Sequence, residues 1–484
     1  MEKASELLSK PLNIINIGLR FLGANVGDTA NSVHLDWKPP VWGDSTLASK
    51  LSYFLDNRYT SSLGSLIDAA NQTAFEKLTN AEPVVIDMQP AIDVIRGMDK
   101  TTILHAGPPI KWAQMPGPMR GAVIGALLYE NLASNEYEAV EIAKTGIRYM
   151  SCNDCNAVGP MAGIVSPSMP MWVVENKIDG KRSFVTINEG YGRSLRFGAY
   201  DEAVIKRLYW MEETLAKGLK NVIRNMGGID IKTIIAQALQ MGDECHNRDI
   251  AATNLFYKMI TPHILKDSIL TDVEKIEIFD FLSQHDHFVL NLAMGACKVA
   301  LLSASDIPYS TLVTVMARNG YEVGIKVSGL GDTWYTASAE IAEGLYFPGF
   351  GPDDANPDIG DSSITETGGI GAFAMGAAPA IVQFVGGSTS QAVKYTKDMW
   401  RITIGKHPVY KMPNMDFSGT PTGIDLRKVC ELNLLPVINT GIAHKEAGHG
   451  LVGAGIALAP AGCFQKALAA FADRYISCLE KSAI

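Results

Sequence analysis

The chain has 484 residues, a formal net charge of −9 and a pI near 5.6. No segment concentrates Lys or Arg, which excludes a protein that binds nucleic acid through a basic face. Hydrophobic residues make up 47% and charged residues only 19%; that balance excludes a disordered chain and points to several buried cores and to subunit contacts. The cysteines are Cys152, Cys155, Cys245, Cys297, Cys430, Cys463 and Cys478, an odd set in a long chain, so a secreted disulfide framework is excluded too.

The first predicted strand is Leu12 to Gly18. A helix over Leu19 to Ser32 and a second strand, Val33 to Asp36, complete a small βαβ unit. The opening residues include Glu2 and lack a long apolar run, so they do not read as a signal peptide. A helical stretch from Ser45 to Leu78 is followed by the buried strand EPVVIDMQ and by a helix starting near Pro90. Next come a short strand, TILH, ending at His105, and a helix from Met119 to Leu132 packed through small residues. Two β-rich runs, MWVVEN and SFVTINEG, flank Asp179-Gly180 and predict a hairpin.

Residues 200–305 are predicted to be mostly helical, and 306–484 return to mixed, Gly-rich structure. The charge-free run Thr367 to Val393 is too rich in small residues for a membrane span and is predicted as a buried helix. The expected fold is multidomain, mixed α/β and α+β: a βαβ-type domain over 1–100, an α+β domain with the hairpin over 101–199, a helical domain over 200–305 and a Gly-rich α+β domain over 306–484. A soluble, cytoplasmic protein is expected.

Several long blocks of Gly, Pro and polar residues lie between the apolar elements. Such backbone is costly to order and commonly forms a site. In LHAGPPIKWAQMPGPMRGA, His105 ends a strand, Gly107 lets backbone approach a ligand, and Arg120 lies near a helix start that favours an anion. In TINEGYGRSLRFGA, Asn188 and Glu189 precede Arg193 and Arg196, two guanidiniums suited to an oxyacid. In QMGDECHNRDIAATN, read as part of a helical run, Glu244 and Arg248 share one face, as do Asp243 and Asn247, with His246 between them. The block LYFPGFGPDDANPDIGDSSITETGGIGAF supplies Asp361 and Glu366, and its Gly369 and Gly371 open a helix whose free N–H groups could hold a phosphate. In INTGIAHKEAGHG, His444 lies in a loop. Cys152 and Cys155 form an isolated C-x-x-C, a weak zinc signal even with Cys245 and His246. His285 and His287 read as structural. Nucleophile-elbow, H-E-x-x-H and kinase motifs are absent.

These blocks, together with AVGPMAGIVSPSMPMWVVEN, SGLGDTWYTA and NTGIAHKEAGHGLVGAG, resemble the YlbE-like family over nearly the whole chain. The resemblance implies a subunit of oxamate carbamoyltransferase, from allantoin catabolism, which converts oxalurate and phosphate to oxamate and carbamoyl phosphate. It also implies an FdrA-like partner subunit and a smaller third subunit, and a homo-oligomer is expected. One departure stands out: members of the family carry a His-rich run where this chain has Cys152-Asn153-Asp154-Cys155-Asn156.

Phosphorolysis of a ureido carbonyl requires held phosphate, oxyanion stabilisation and a proton for the leaving amide. The expected catalytic residues are His105, His246, Glu244, Asp361 and Glu366. The expected substrate and phosphate ligands are Gly107, Arg120, Asn188, Glu189, Arg193, Arg196, Asn247, Arg248, Gly369, Gly371 and His444. No cofactor is required by these motifs, although Asp361 and Glu366 could orient a His or hold Mg²⁺. Two rival readings are a non-catalytic small-acid-binding or scaffold subunit, and a metal-dependent amidohydrolase using Glu244, His246 and the acidic loop.

Overall fold

The structure is a computed structural model that describes residues 12–18, 30–35, 37–190 and 192–482. Near the N-terminus, strand Leu12–Ile17 pairs in parallel with Ala30–Leu35. The second strand thus starts three residues before the predicted Val33, and residues 19–29 of the predicted helix lie outside the described residues. The next predicted helical stretch forms as two helices, Ser45–Leu55 and Leu63–Asn80. Asp44 and Ser62 start them by accepting the N–H groups of Leu47 and Ser65.

A five-stranded sheet follows, in the order Ala157–Val158, Arg182–Thr186, Pro170–Asn176, Pro83–Pro90, Ile229–Asp230. Its centre is the predicted hairpin, with Met171 opposite Thr186 and Gly180 at φ +71° in the turn. The predicted helical region appears as a layer over this sheet. Asp201, Asp230 and Thr271 accept N–H groups at the starts of Glu202–Trp210, Ile231–Gln240 and Asp272–Ser283. Helix Leu290–Ser303 is mostly apolar and buried on nearly every side; its buried Asn291 and Lys298 are satisfied by Thr186 O and Asn153 Oδ1. Gly295 sets its distance from the hairpin: a Cβ there would lie 3.0 Å from the methyls of Val174 and Val185. Trp172 packs edge-on against Phe256 and Phe288, each ring 6.2 Å away. Each such contact adds roughly 0.5–1.5 kcal/mol beyond area burial and fixes the turn before that helix.

The C-terminal part contains a four-stranded sheet (Tyr335–Ser338, Glu322–Val327, Val313–Asn319, Ile359–Gly360) and a three-stranded one (Glu343–Tyr346, Leu451–Leu458, Val437–Ala443). Helix Ala461–Ser482 packs Phe464, Leu468 and Phe471 into their shared core. The fold is therefore mixed α and β with several sheets, as expected. None of the described helices is long and apolar enough to cross a membrane.

Two local expectations fail. The run after Thr367 does not form one helix. It breaks into the short turns Gly371–Ala374, Pro379–Ile381 and Val382–Val385. The causes are Gly369 and Gly371 at positive φ and Pro379, which cannot continue a helix from its N-terminal side. Residues 241–249 are likewise a loop between helices Ile231–Gln240 and Ile250–Lys266, with Gly242 and Cys245 at positive φ. The helical i,i+4 pairing expected for Glu244 with Arg248 therefore does not exist.

Candidate functional site

Several chain segments meet around one small cavity of about 30 Å³, with Phe197, Leu290, Phe384 and Leu451 in a largely apolar wall that carries a few polar groups. Pro160, Met161, Arg196, His246, Asn247, His287, Ser362 and Gly441 line its inner part. Its mouth, about 290 Å³, shares Asn247, His287 and Phe384 with that inner part and adds Arg248, Asp286 and Gln383.

The loop carrying His246 is shaped by Glu244. This buried carboxylate accepts the main-chain N–H groups of His246, Asn247 and Arg248 at 2.6, 2.8 and 2.9 Å, and Asn439 Nδ2 at 3.1 Å. Burial nevertheless pushes its pKa up to about 7. His246 Nδ1 meets Glu366 Oε1 at 2.8 Å and Thr365 Oγ1 at 3.1 Å. Glu366 is completely buried and also accepts from Ala372 N and Asn439 N. The pairing fixes the ring, so that the face of His246 in the cavity is Nε2. The predicted role of Glu366 in orienting a His is realised at this contact.

Arg196 lies in the turn Leu195–Phe197. The turn is held by Glu189, whose two oxygens accept from Leu195 N and Arg196 N at 2.7 and 3.0 Å. The guanidinium donates Nη2 to Gly190 O and lies over the Phe197 ring. Burial lowers its pKa to about 10, which leaves it charged at neutral pH. Its Nε has no hydrogen-bond partner, and neither has Asn247 Nδ2, although both atoms are buried. Buried donors without acceptors are rare, and two in residues lining one cavity are what an anionic ligand would satisfy.

His287 lines the same cavity, with Nδ1 2.9 Å from Asp249 Oδ2. The sequence reads this residue as structural, because on a helix His285 and His287 would diverge; the segment is instead a turn. Asn188 supports the turn by donating to His287 O and to Asn291 Oδ1, so it positions the site and does not enter it.

The remaining predicted residues lie elsewhere. His105 is fully enclosed outside this cavity; its Nδ1–H donates to Ala106 O, and burial pulls its pKa down. Asp361 is not beside a His: it accepts from Gly107 N, Asn153 Nδ2 and Gly159 N at 2.8–3.0 Å, tying three loops together. Burial raises its pKa to about 6. Both oxygens of Asp361 accept N–H donors, and Glu366 accepts N–H donors at Oε1 and faces the Thr365 hydroxyl at Oε2, so neither is arranged to hold Mg²⁺. Gly369 N and Gly371 N donate to Glu366 O and Glu244 O, so they offer no phosphate cradle. Arg120 is exposed and donates to Ala113 O. Arg193 is exposed and pairs with Asp201 at 2.8 Å. His444 stacks on His449 in a separate loop, where Glu446 completes the one group, among the described residues, with metal-ligand spacing. Cys152, Cys155 and Cys245 form no such group there.

Gly107 has a packing role in place of the expected ligand contact. At φ +78°, a Cβ would lie 2.5 Å from the Arg318 carbonyl carbon and the Asn319 nitrogen. Gly107→Ala should therefore cost roughly 2–5 kcal/mol from backbone strain plus overpacking. Chemical denaturation measures this; a midpoint equal to that of the wild type would show that the two backbones can separate freely.

The fold and cavity define a mixed α/β protein with an internal, imidazole- and guanidinium-lined pocket. Residues 147–362 match the family described as oxamate carbamoyltransferase subunit AllG. The chain is 45% identical over 409 residues to the oxamate carbamoyltransferase subunit AllG of Escherichia coli K12, covering 84% of this chain and 97% of AllG. It is 44% identical over 474 residues to YahG of the same organism, described as uncharacterized, covering 98% and 99%. A crystal structure of a conserved protein of unknown function from Enterococcus faecalis V583 matches with a TM-score of 0.83 at 44% identity, covering 85% of this chain and 98% of that one. The chain belongs to the AllG family.

Proposed function

We propose that this chain is a carbamoyltransferase subunit that converts a small ureido acid of the oxalurate type, with phosphate, to oxamate and carbamoyl phosphate. The observation that carries this reading is the pair of buried, unpartnered donors, Arg196 Nε and Asn247 Nδ2, in a cavity that also holds His246. Membership of the AllG family supports the reaction class. The YlbE-like resemblance, a cytoplasmic location, a homo-oligomer, an FdrA-like partner and a smaller third subunit belong to the same reading.

In this scheme Arg196 and Asn247 hold the carboxylate and the developing oxyanion, and Arg248 attracts phosphate at the mouth. A phosphate oxygen forms a bond to the carbamoyl carbon, and the bond from that carbon to the amide nitrogen breaks. His246, oriented by Glu366, takes the proton of the attacking phosphate.

The test is phosphate-dependent formation of carbamoyl phosphate from oxalurate by the chain together with an FdrA-like subunit. Release is expected from the wild type, with a loss of roughly 100-fold or more in His246→Gln. No release from the wild type with its partner, or full activity in the variant, sinks the reading. Binding of oxalurate by a chain that turns nothing over would favour a non-catalytic subunit.

A further inference from the structure

We propose that His287, backed by Asp249, is a second proton-transferring imidazole of this cavity and donates the proton taken by the leaving amide nitrogen. The proposal rests on the carbamoyl-transfer reading for its reaction, but its geometry is independent of it. Two imidazole–carboxylate pairs, His246–Glu366 and His287–Asp249, each closed at 2.8–2.9 Å, come from different segments and meet at one cavity. The two carboxylates differ. Glu366 has both oxygens engaged by donors. Asp249 is fully buried, and its Oδ1 has no partner. The open oxygen of Asp249 leaves that carboxyl able to hold or release a proton, so the pair can carry its proton on either partner.

The surroundings set the direction. Facing His287 or its partner are Asp243, Glu244 and Arg248 from the same loop as Asp249, Asp286 from its own turn, and Arg196 and the His246–Glu366 pair around the cavity. Burial lowers the His287 pKa to about 4 and raises the Asp249 carboxyl well above its ordinary range. The empty cavity thus disfavours the separated charges. An anion bound by Arg196 and Asn247 adds negative potential beside the ring and favours imidazolium, so ligand entry moves the proton from the Asp249 carboxyl onto His287. In the forward reaction the nitrogen takes the electron pair of the breaking C–N bond and the proton from His287, while His246 receives the proton of hydrogen phosphate. Protons and charge then balance, and one proton returns from His246 to His287 before the next turnover.

Titration of phosphate, and separately of oxamate, into the histidine-labelled protein followed by NMR of the ring nitrogens tests the loading step without requiring turnover. The His287 signals, identified by their loss in His287→Gln, are expected to move from the neutral to the imidazolium pattern as the anion binds. For catalysis, His287→Gln should lower kcat by roughly 100- to 10,000-fold with little change in KM. It should also remove the high-pH limb of the kcat profile, and Asp249→Asn should move that limb to lower pH. A His287 ring that stays neutral in the anion-bound wild type, or an unaltered pH profile, overturns the proposal. No anion binding at all overturns it together with the functional reading. Proton-linked binding without carbamoyl phosphate formation overturns that reading alone.

Discussion

Arg318→Met is expected to destabilise the protein by about 3–5 kcal/mol, because it strands a buried carboxylate. Arg318 is fully buried, and its Nε and Nη2 grip both oxygens of Asp358 at 2.8 and 3.0 Å. Its other nitrogen bonds reach Gly360 O at 2.8 Å and Thr440 Oγ1 at 3.0 Å. Without it, Asp358 keeps only Thr440 as a side-chain partner. Replacing both residues with apolar side chains, Arg318→Met with Asp358→Leu, should recover a large part of the loss, since no charge is then left unpaired. Urea denaturation of the three variants measures this. A double variant less stable than Arg318→Met would show that the bonds to Gly360 and Thr440, and not the ion pair, dominate. The residue also joins the strand ending at Gly360 to the strand through Thr440, and so aligns Ser362 and Gly441 in the cavity wall.

Arg196→Ala should lower kcat/KM for oxalurate by about 3 kcal/mol, roughly 100-fold or more, the usual effect of losing one oxyanion donor. Stability should change little by comparison, because Glu189 holds the turn through the main-chain N–H groups of Leu195 and Arg196, which the substitution leaves in place. Arg196→Lys should restore little, since an ammonium cannot both reach Gly190 O and present a second, fixed N–H to the ligand. Steady-state kinetics at saturating phosphate separates the outcomes. Wild-type kcat/KM in Arg196→Ala would remove the guanidinium from the reaction.

Residue types were legible in the sequence where local chemistry decides structure. The Asp179-Gly180 hairpin, the strand ending at His105 and the amphipathic helices of residues 200–305 follow from turn chemistry and periodicity. The site was legible in its loops: His246, Asn247, Arg248 and Arg196 were selected because polar, Gly-rich blocks interrupt apolar elements. What could not be read is which way those loops face. Arg120 and Arg196 look alike in sequence, yet one lies on a solvated helix start and the other is buried over the Phe197 ring. Asp361 and Glu366 are five residues apart, and only the second meets an imidazole, because its partner comes from a loop 120 residues away. The pairing of His287 was hidden in the same way: its carboxylate, Asp249, is 38 residues distant, and no periodicity links the two. Gly369 and Gly371 show the converse error, where flexible residues at a turn resembled an anion cradle but their N–H groups close the chain on itself.

The manner in which Glu244 secures its loop has a consequence for how relatives can diverge. It grips the amide hydrogens of positions 246, 247 and 248, which every residue except proline possesses. The side chain at 247 is thereby relieved of most of the duty of shaping the loop, whereas Arg248 still ties it to Gly242 O and Asp243. Evolution, or a protein engineer, has latitude to exchange position 247 and alter which acid is admitted, while the platform beneath retains its contour.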